Sequence, residues 1–271
     1  MAGASRNRKS RRRQLKTSHQ KNWLVGRYAV LESLRAAKWP ADEIFLAEDL
    51  DQASAAEVRQ LADRNAVPVQ NVTSDRLTEL CHAEHHQGLA ARMGVYPYDS
   101  LDILLNHINS RAPSDITPLV AVCDRIQDTF NFGAILRCCD SLGVTAVVIS
   151  DKEQTLVSPQ VARSSAGAVN HVSIVLVDDL EKAAEALQKN GFLIAAASEK
   201  SDDIAWDVRL ERPVALVIGS EAKGVSPELQ ERCETHLRIP MMGSVESLNA
   251  AVAAGILLYE IRRQQSATAE S

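Results

Sequence analysis

Three polar segments of this 271-residue chain carry the side chains best suited to chemistry. The first, residues 124–133, contains Asn131 and Gly133 and leads to Arg137. The second is Gly219-Ser-Glu221-Ala-Lys-Gly224. The third, residues 241–249, ends in Ser247-Leu248-Asn249. Amide, carboxylate, hydroxyl and guanidinium groups can orient a substrate and steady developing charge, and glycines let backbone come close to a ligand. Common signatures fail here. A P-loop carries its lysine after the second glycine, whereas the lysine at 223 precedes Gly224, so a kinase or NTPase is excluded. Gly-x-Gly-x-x-Gly, Gly-x-Ser-x-Gly and His-Glu-x-x-His are absent. Cys81-His82-Ala-Glu-His85-His86 has metal-binding residue types but no matching second half, so no metal is expected. Those histidines read as RNA contacts or surface residues. Trp23, Tyr28 and Trp39 are too scattered for a base-stacking platform.

These segments need a scaffold, and hydrophobic patterning supplies one. From residue 119 the chain alternates strand and helix. Strands are expected at 119–124, 145–150, 172–177, 192–198, 213–220 and 236–240, and helices at 131–142, 158–165, 179–190, 226–232 and 247–264. Apolar β-branched runs alternating with helices imply a parallel sheet covered on both faces. Ligands of such sheets bind at the carboxyl ends of the strands, where the three polar segments fall, so they form one composite site. Residues 23–94 read as a small α/β unit, with helices at 25–37 and 54–66 and strands at 43–47 and 67–72. A polar, amphipathic segment, 95–118, reads as the linker, with Pro113 and Pro118 near its end.

The composition narrows the class. With 45% hydrophobic and 24% charged residues, a collagenous, mucin-like or wholly disordered protein is excluded. No apolar run reaches the ~20 residues of a transmembrane helix, so no membrane partner is expected. The start has no apolar stretch after its basic region and does not read as a secretory signal. The cysteines form no Cys-x-x-Cys pair, which fits a reducing, cytoplasmic setting. The net charge of −5 conceals an asymmetry. Residues 1–22 hold eight basic residues and no acid, leaving −13 on the remainder. The basic arm reads as a disordered polyanion-binding tail, with RNA preferred over an organelle address because it lacks an amphipathic face.

The motifs point further than the patterning. Asn131-Phe-Gly133-Ala-Ile-Leu-Arg137 resembles the first motif of the SpoU (TrmH) family of RNA ribose 2′-O-methyltransferases. Val217-Ile-Gly219-Ser-Glu221-Ala-Lys-Gly224-Val resembles the second. The run from Ile239-Pro240-Met241 through Gly243 to Ser247-Leu248-Asn249 and the following small apolar residues resembles the third, and Ser164-Ser165-Ala166-Gly167-Ala168 matches a further segment. Residues 23–94, ending in His86-Gln87-Gly88, resemble the substrate-binding domain of a ribosomal RNA subgroup, which includes the bacterial 23S rRNA guanosine 2′-O-methyltransferases.

Alternation alone gives a plain doubly wound sheet. The resemblance implies a SPOUT-type α/β fold: a trefoil-knotted parallel-sheet catalytic domain over 119–265, preceded by the small α/β substrate-binding domain, with tails at 1–22 and 266–271. It implies S-adenosylmethionine as cofactor and a homodimer as the active unit. It places cofactor contacts at Leu216, Gly219, Gly224, Ile239, Met241 and Leu248, through backbone N–H and C=O at Leu216 to Gly219, Ile239 and Leu248 whose apolar side chains also suit ordinary core, and catalysis at Asn131, Arg137, Glu221, Ser247 and Asn249. A guanidinium is effectively always protonated, so Arg137 is read as binding the target phosphate and stabilising the alkoxide rather than as a base. Asn131 is expected to fix Glu221 or the RNA backbone, or to cap its helix. Glu221 is expected to orient Arg137 or Asn131, or to handle the proton. Ser247 is expected to cap the last helix. Thr129, Ala222 and Cys138-Cys139 depart from the family pattern. Ala222 restricts its loop if that position needs φ > 0, and the cysteines read as small packing residues. The expected substrate is RNA, most specifically a guanosine of 23S rRNA. A tRNA methyltransferase, a resistance-type rRNA methyltransferase and a non-catalytic RNA-binding assembly factor are the alternatives.

Overall fold

The structure is a computed structural model that describes residues 22–112 and 116–269. The basic arm, Asn22 apart, lies outside the described residues, as does Pro113. The chain divides into two compact units. One comprises the N-terminal residues to Pro97 with Val157–Arg163, the other Tyr98–Leu156 with Ser164 onward.

The first unit is built on a four-stranded mixed sheet. Its elements are β1 (Trp23–Val25), α1 (Arg27–Ala36), β2 (Ala41–Ala47), α2 (Gln52–Arg64), β3 (Val69–Val72), α3 (Ser74–Cys81) and β4 (Leu89–Met93). The strand order is β1-β4-β2-β3. Only β2 and β3 are parallel, as their α2 crossover requires. The helix expected at 25–37 starts two residues later, because Gly26 at φ 106° breaks β1 from α1. Three elements were not expected: β1, α3 and β4. Thr73 accepts a hydrogen bond from the Arg76 amide and caps α3. β4, Leu-Ala-Ala-Arg-Met, has no β-branched residue, yet it lies between β1 and β2 with Ala90 and Ala91 buried.

The second unit is a six-stranded, wholly parallel sheet. Its strands are β5 (Leu119–Asp124), β6 (Ala146–Ser150), β7 (Ile174–Val177), β8 (Leu193–Ala197), β9 (Val214–Gly219) and β10 (Thr235–Leu237). The order is β10-β8-β9-β5-β6-β7, so the chain starts in the middle, runs to one edge and returns to fill the other side. Helices α4 (Leu101–Asn109), α5 (Thr129–Ser141), α7 (Leu180–Lys189), α8 (Pro227–Gln230) and α9 (Ala250–Ala269) accompany it. The short α6 spans Pro159–Ser164. All six residues of β5 and all five of β6 are buried, which explains their unbroken apolar patterns.

The connecting segment 95–118 is more ordered than its composition suggests. Asp99 bridges to Val175 at the β7 edge and accepts a 2.7 Å hydrogen bond from Ser173 Oγ. Ser100 then caps α4, whose Leu104 is buried with Val175 in the main core. At the other end of the chain, α9 continues to Ala269, beyond the helix end expected at 264.

Candidate active site

Three loops at the carboxyl ends of β5, β9 and β10 converge, as a parallel sheet favours. After β5, Asp128 rather than Asn131 caps α5: its Oδ1 accepts from the amides of Phe130 (3.0 Å) and Asn131 (2.8 Å). Asn131 thus keeps its side chain for other partners. Ser164 Oγ donates to the Thr129 carbonyl at 2.8 Å. Gly133 faces the same serine so closely that an added Cβ would lie 2.0 Å from Ser164 Oγ. Only glycine admits that contact, which accounts for pairing Gly133 with the Ser164-Ser165 segment.

After β9, the loop 219–226 folds back on itself. The Gly224 amide donates to the Ser220 carbonyl at 2.8 Å, and a Cβ at Gly219 would come within 2.1 Å of Gly224 backbone. Ala222 does not have positive φ, so its methyl group carries no backbone penalty. At the tip, Glu221 Oε1 accepts from Asn131 Nδ2 (3.1 Å), from the Ala250 amide (3.2 Å) and from Asn249 Nδ2.

The third loop enters α9 through Asn249. Its Oδ1 accepts from the amides of Ala251 (3.0 Å) and Val252 (3.3 Å), while its Nδ2 also donates to Asn131 Oδ1 at 2.8 Å. Asn249, not Ser247, therefore caps this helix: an amide can cap and still donate to the carboxylate. Asn131, Glu221 and Asn249 form a closed polar cluster with all three residues in mutual contact, and Glu221 pairs with Asn131 rather than Arg137.

Glu221 and Asn249 also line a cavity of about 560 Å³. Gly219, Gly224, Ile239, Met241, Ser247 and Leu248 line it too, so residues from the second and third loops share one chamber. Its size suits a drug-sized ligand, and its mixture of aliphatic and polar walls suits one with an apolar ring and charged groups. Three expected residues do not line it: Asn131, which borders a smaller cavity, Leu216 and Arg137. Leu216 sits in mid-strand between Ala121 and Ala195, fully buried. It packs the core because the strand's end, not its middle, opens to the chamber. Arg137 is exposed and lines neither this cavity nor a smaller one of about 180 Å³ bounded by Arg125, Asn131, Glu153, Glu221 and Lys223. Seven residues after the exposed Phe130, it shares that side chain's helix face. Conversely, Ala197-Ser198-Glu199-Lys200, at the end of β8, line the large cavity and were not anticipated. Their position beside β9 in a parallel sheet was the signal available.

Cys123, Cys138, Cys139 and His86 have structural roles. Cys138 Sγ would lie 3.2 Å from a Cβ placed at Gly255, so α5 and α9 meet through small residues. Burial raises the thiol pKa of Cys138 and Cys139 and pushes that of Cys123 up to about 12, so none favours the reactive thiolate. In the first unit, His86 is buried. Its Nδ1 accepts from the Gly88 amide (3.0 Å) and its Nε2 meets Thr78 Oγ1 at 3.1 Å, which commits both ring nitrogens to a turn. Among the described residues, no group of three or more His, Cys, Asp or Glu is placed to hold a metal ion.

Comparison with known proteins agrees with this layout. The sequence model of the SpoU rRNA methylase family matches residues 118–259. The chain belongs to the SpoU family. A second model, RNA 2′-O ribose methyltransferase substrate binding, matches residues 23–98. A protein of Staphylococcus haemolyticus assigned to the TrmH family of tRNA/rRNA methyltransferases is 33% identical over 242 residues, 89% of this chain and 95% of the relative. Its Bacillus subtilis counterpart YacO is 30% identical over 253 residues, 93% of this chain and 100% of the relative. Among solved structures, the SpoU methyltransferase AviRb of Streptomyces viridochromogenes, in complex with the cofactor AdoMet, superposes with a TM-score of 0.75 at 26% identity. The match covers 96% of this chain and 94% of that one. The fold is thus the SPOUT-type parallel-sheet domain, preceded by the substrate-binding α/β domain. Among the described residues no helix is long and apolar enough to cross a membrane.

Proposed function

We propose that this SpoU-family protein transfers a methyl group from S-adenosylmethionine to a ribose 2′-hydroxyl of RNA, with a guanosine of 23S rRNA as its target. The observation that carries this reading is the polar cluster of Asn131, Glu221 and Asn249, built from the family's three motif loops, with Glu221 and Asn249 in the wall of the ~560 Å³ cavity. The ribose assignment draws support from the substrate-binding match over 23–98.

The chamber fits the cofactor by its donor set. Ile239, Met241 and Leu248 offer an aliphatic bed for an adenine, and the backbone around Gly219 and Gly224 can approach it without side chains. S-adenosylmethionine supplies a methyl group activated by its sulfonium. The chain's own task is then to orient the hydroxyl and manage its charge. Asn131 and Asn249 hold the Glu221 carboxylate through Oε1, which leaves Oε2 to accept a proton or hydrogen bond from the acceptor. Ser247, exposed at the cavity, offers a hydroxyl to a ribose. Arg137 binds the target phosphate and stabilises the alkoxide. Because it lies outside its own chain's cavity, it needs a second copy or the bound RNA to meet the reacting atoms.

The active unit in this reading is a homodimer. Exposed Val252, Ile256 and Tyr259 recur on one stripe of α9, and exposed Phe130 lies on α5, a pattern that favours a covered apolar face. The trefoil knot implied for the C-terminal segment, and a cytoplasmic setting, belong to the same proposal.

The test is transfer of labelled methyl from S-adenosylmethionine to unmodified 23S rRNA, free and in ribosomal precursors, with tRNA alongside and the modified atom mapped. One methylated 23S ribose is the expected result. Methylation of tRNA alone would move the substrate. Cofactor binding without transfer to any of these RNAs would overturn the substrate assignment, and no binding would leave an RNA-binding protein without catalysis.

A further inference from the structure

Arg125, the first residue after β5, is held at φ 60°. This is the left-handed region, which glycine enters freely and asparagine tolerates but which is costly for other residues. Such strain persists only where surrounding contacts enforce it, and it concentrates at functional sites. Here the contacts are visible. Arg125 Nη2 donates to the Gly224 carbonyl at 3.2 Å, and its Nε lies 3.5 Å from Asp124 Oδ1. The other oxygen of Asp124, a buried carboxylate, accepts from the Ser226 amide at 2.6 Å.

Two adjacent residues at the end of β5 therefore grip the returning limb of the 219–226 loop at Gly224 and Ser226. That loop carries Glu221 and forms part of the large cavity's wall. The loop's other restraints act at its tip, where Glu221 bonds to Asn131, Asn249 and the Ala250 amide and Lys223 pairs with Glu153 at 3.1 Å, while the Ser220–Gly224 hydrogen bond closes the turn; only the grip from β5 holds the returning limb to the end of that strand. A glycine or asparagine at 125 would relax the backbone but could not reach the Gly224 carbonyl from there. The long, planar guanidinium can, and it remains mostly buried, with 19% of its side chain exposed.

We propose that Arg125 is a positioning residue of the transfer site, clamping the outer limb of the Glu221 loop so that the cavity wall is set before ligand arrives. The assignment of the cavity to S-adenosylmethionine rests on the proposed function, but the clamp itself does not.

The test uses the full-length protein with Arg125→Gly, Arg125→Asn and Arg125→Lys. Melting temperature, amide hydrogen exchange at Gly224 and Ser226, and the Kd for S-adenosylmethionine are measured for each. Gly and Asn relieve the strained φ as the guanidinium is lost, so both should melt within about 3 °C of wild type. Their exchange at the two amides should rise about tenfold, and the cofactor Kd should rise by a similar factor, the scale of one charge-assisted hydrogen bond. Lys, with a single ammonium able to reach the same carbonyl, should fall between. Unchanged exchange in the Gly and Asn variants overturns the clamp. A melting temperature lower by more than about 10 °C in both overturns it in favour of a general stabilising role. If wild-type protein does not bind S-adenosylmethionine, the functional reading falls, while hydrogen exchange still decides the clamp.

Discussion

The two ends of α9 use polar side chains in opposite ways. At the N-terminal end, Asn249 and Glu221 are exposed and bond to one another and to Asn131, at the edge of the cavity. At the C-terminal end, Arg262 spends its whole guanidinium on the protein. Nε donates to Leu142 O (3.0 Å), Nη2 to Gly143 O (2.8 Å), and Nη1 to Thr117 O (2.9 Å) and Gln265 Oε1 (2.9 Å). These bonds tie α9 to the end of α5 and to the approach to β5. Burial, then the nearby Arg111, lowers the Arg262 pKa, yet a guanidinium stays charged at neutral pH. A saturated polar group holds a fold together. A polar group bonded only to its neighbours at an open surface retains capacity for a ligand. The helix is a rigid rod between an anchor and a site.

The sharpest separation of the two comes from Glu221→Gln. It preserves shape and removes the negative charge, so methyl transfer should fall on the order of 10²-fold, the scale of a lost proton-handling group. The melting temperature should change little, because the side chain is exposed. Steady-state kinetics alongside a thermal melt checks this. A large melting shift with intact turnover would make the N-terminal end a second anchor and erase the contrast.

That contrast also explains what could be read in the sequence. β5, β6 and β9 were legible because a strand buried on both faces must be apolar throughout. The site loops were legible through glycine placement and motif order. β4 was not, because a run of alanines fits any buried slot and its strand state is imposed by β1 and β2 on either side. The Asp128 cap escaped notice because Asn131 could equally cap, and only the fold decides which amides are in reach. Arg125 escaped notice because a left-handed backbone at an arginine leaves no trace in residue type. The cavity contribution of 197–200 required knowing that β8 neighbours β9.

The anchor should yield the opposite profile. Arg262→Met fills similar volume but leaves the carbonyls of Thr117, Leu142 and Gly143 without their donor. Unpaired polar groups of this kind cost roughly 2–4 kcal/mol in total. At this chain length the melting temperature should drop on the order of 5–10 °C. Protein that remains folded at low temperature should bind S-adenosylmethionine within about twofold of wild type, since additivity holds between distant sites. Loss of cofactor affinity without loss of stability would show that the anchor reports to the site.

The smallest expected effect refines where the anchor ends. Gln264, two residues after Arg262, accepts from the Leu210 amide at 2.8 Å and donates to Val208 O at 3.1 Å and Glu260 Oε1 at 2.8 Å. It ties the 204–212 loop to α9, and Leu210 is fully buried beside it. Gln264→Ala should cost about 1 kcal/mol, because the Val208 carbonyl and the Leu210 amide lose a partner that water can replace in part. Denaturant titration gives the value, and hydrogen exchange at Leu210 locates it. A cost comparable to that of Arg262→Met would extend the anchor through the whole last turn of contacts, since the two residues would then act as one unit. A null effect would confine the anchor to the guanidinium alone.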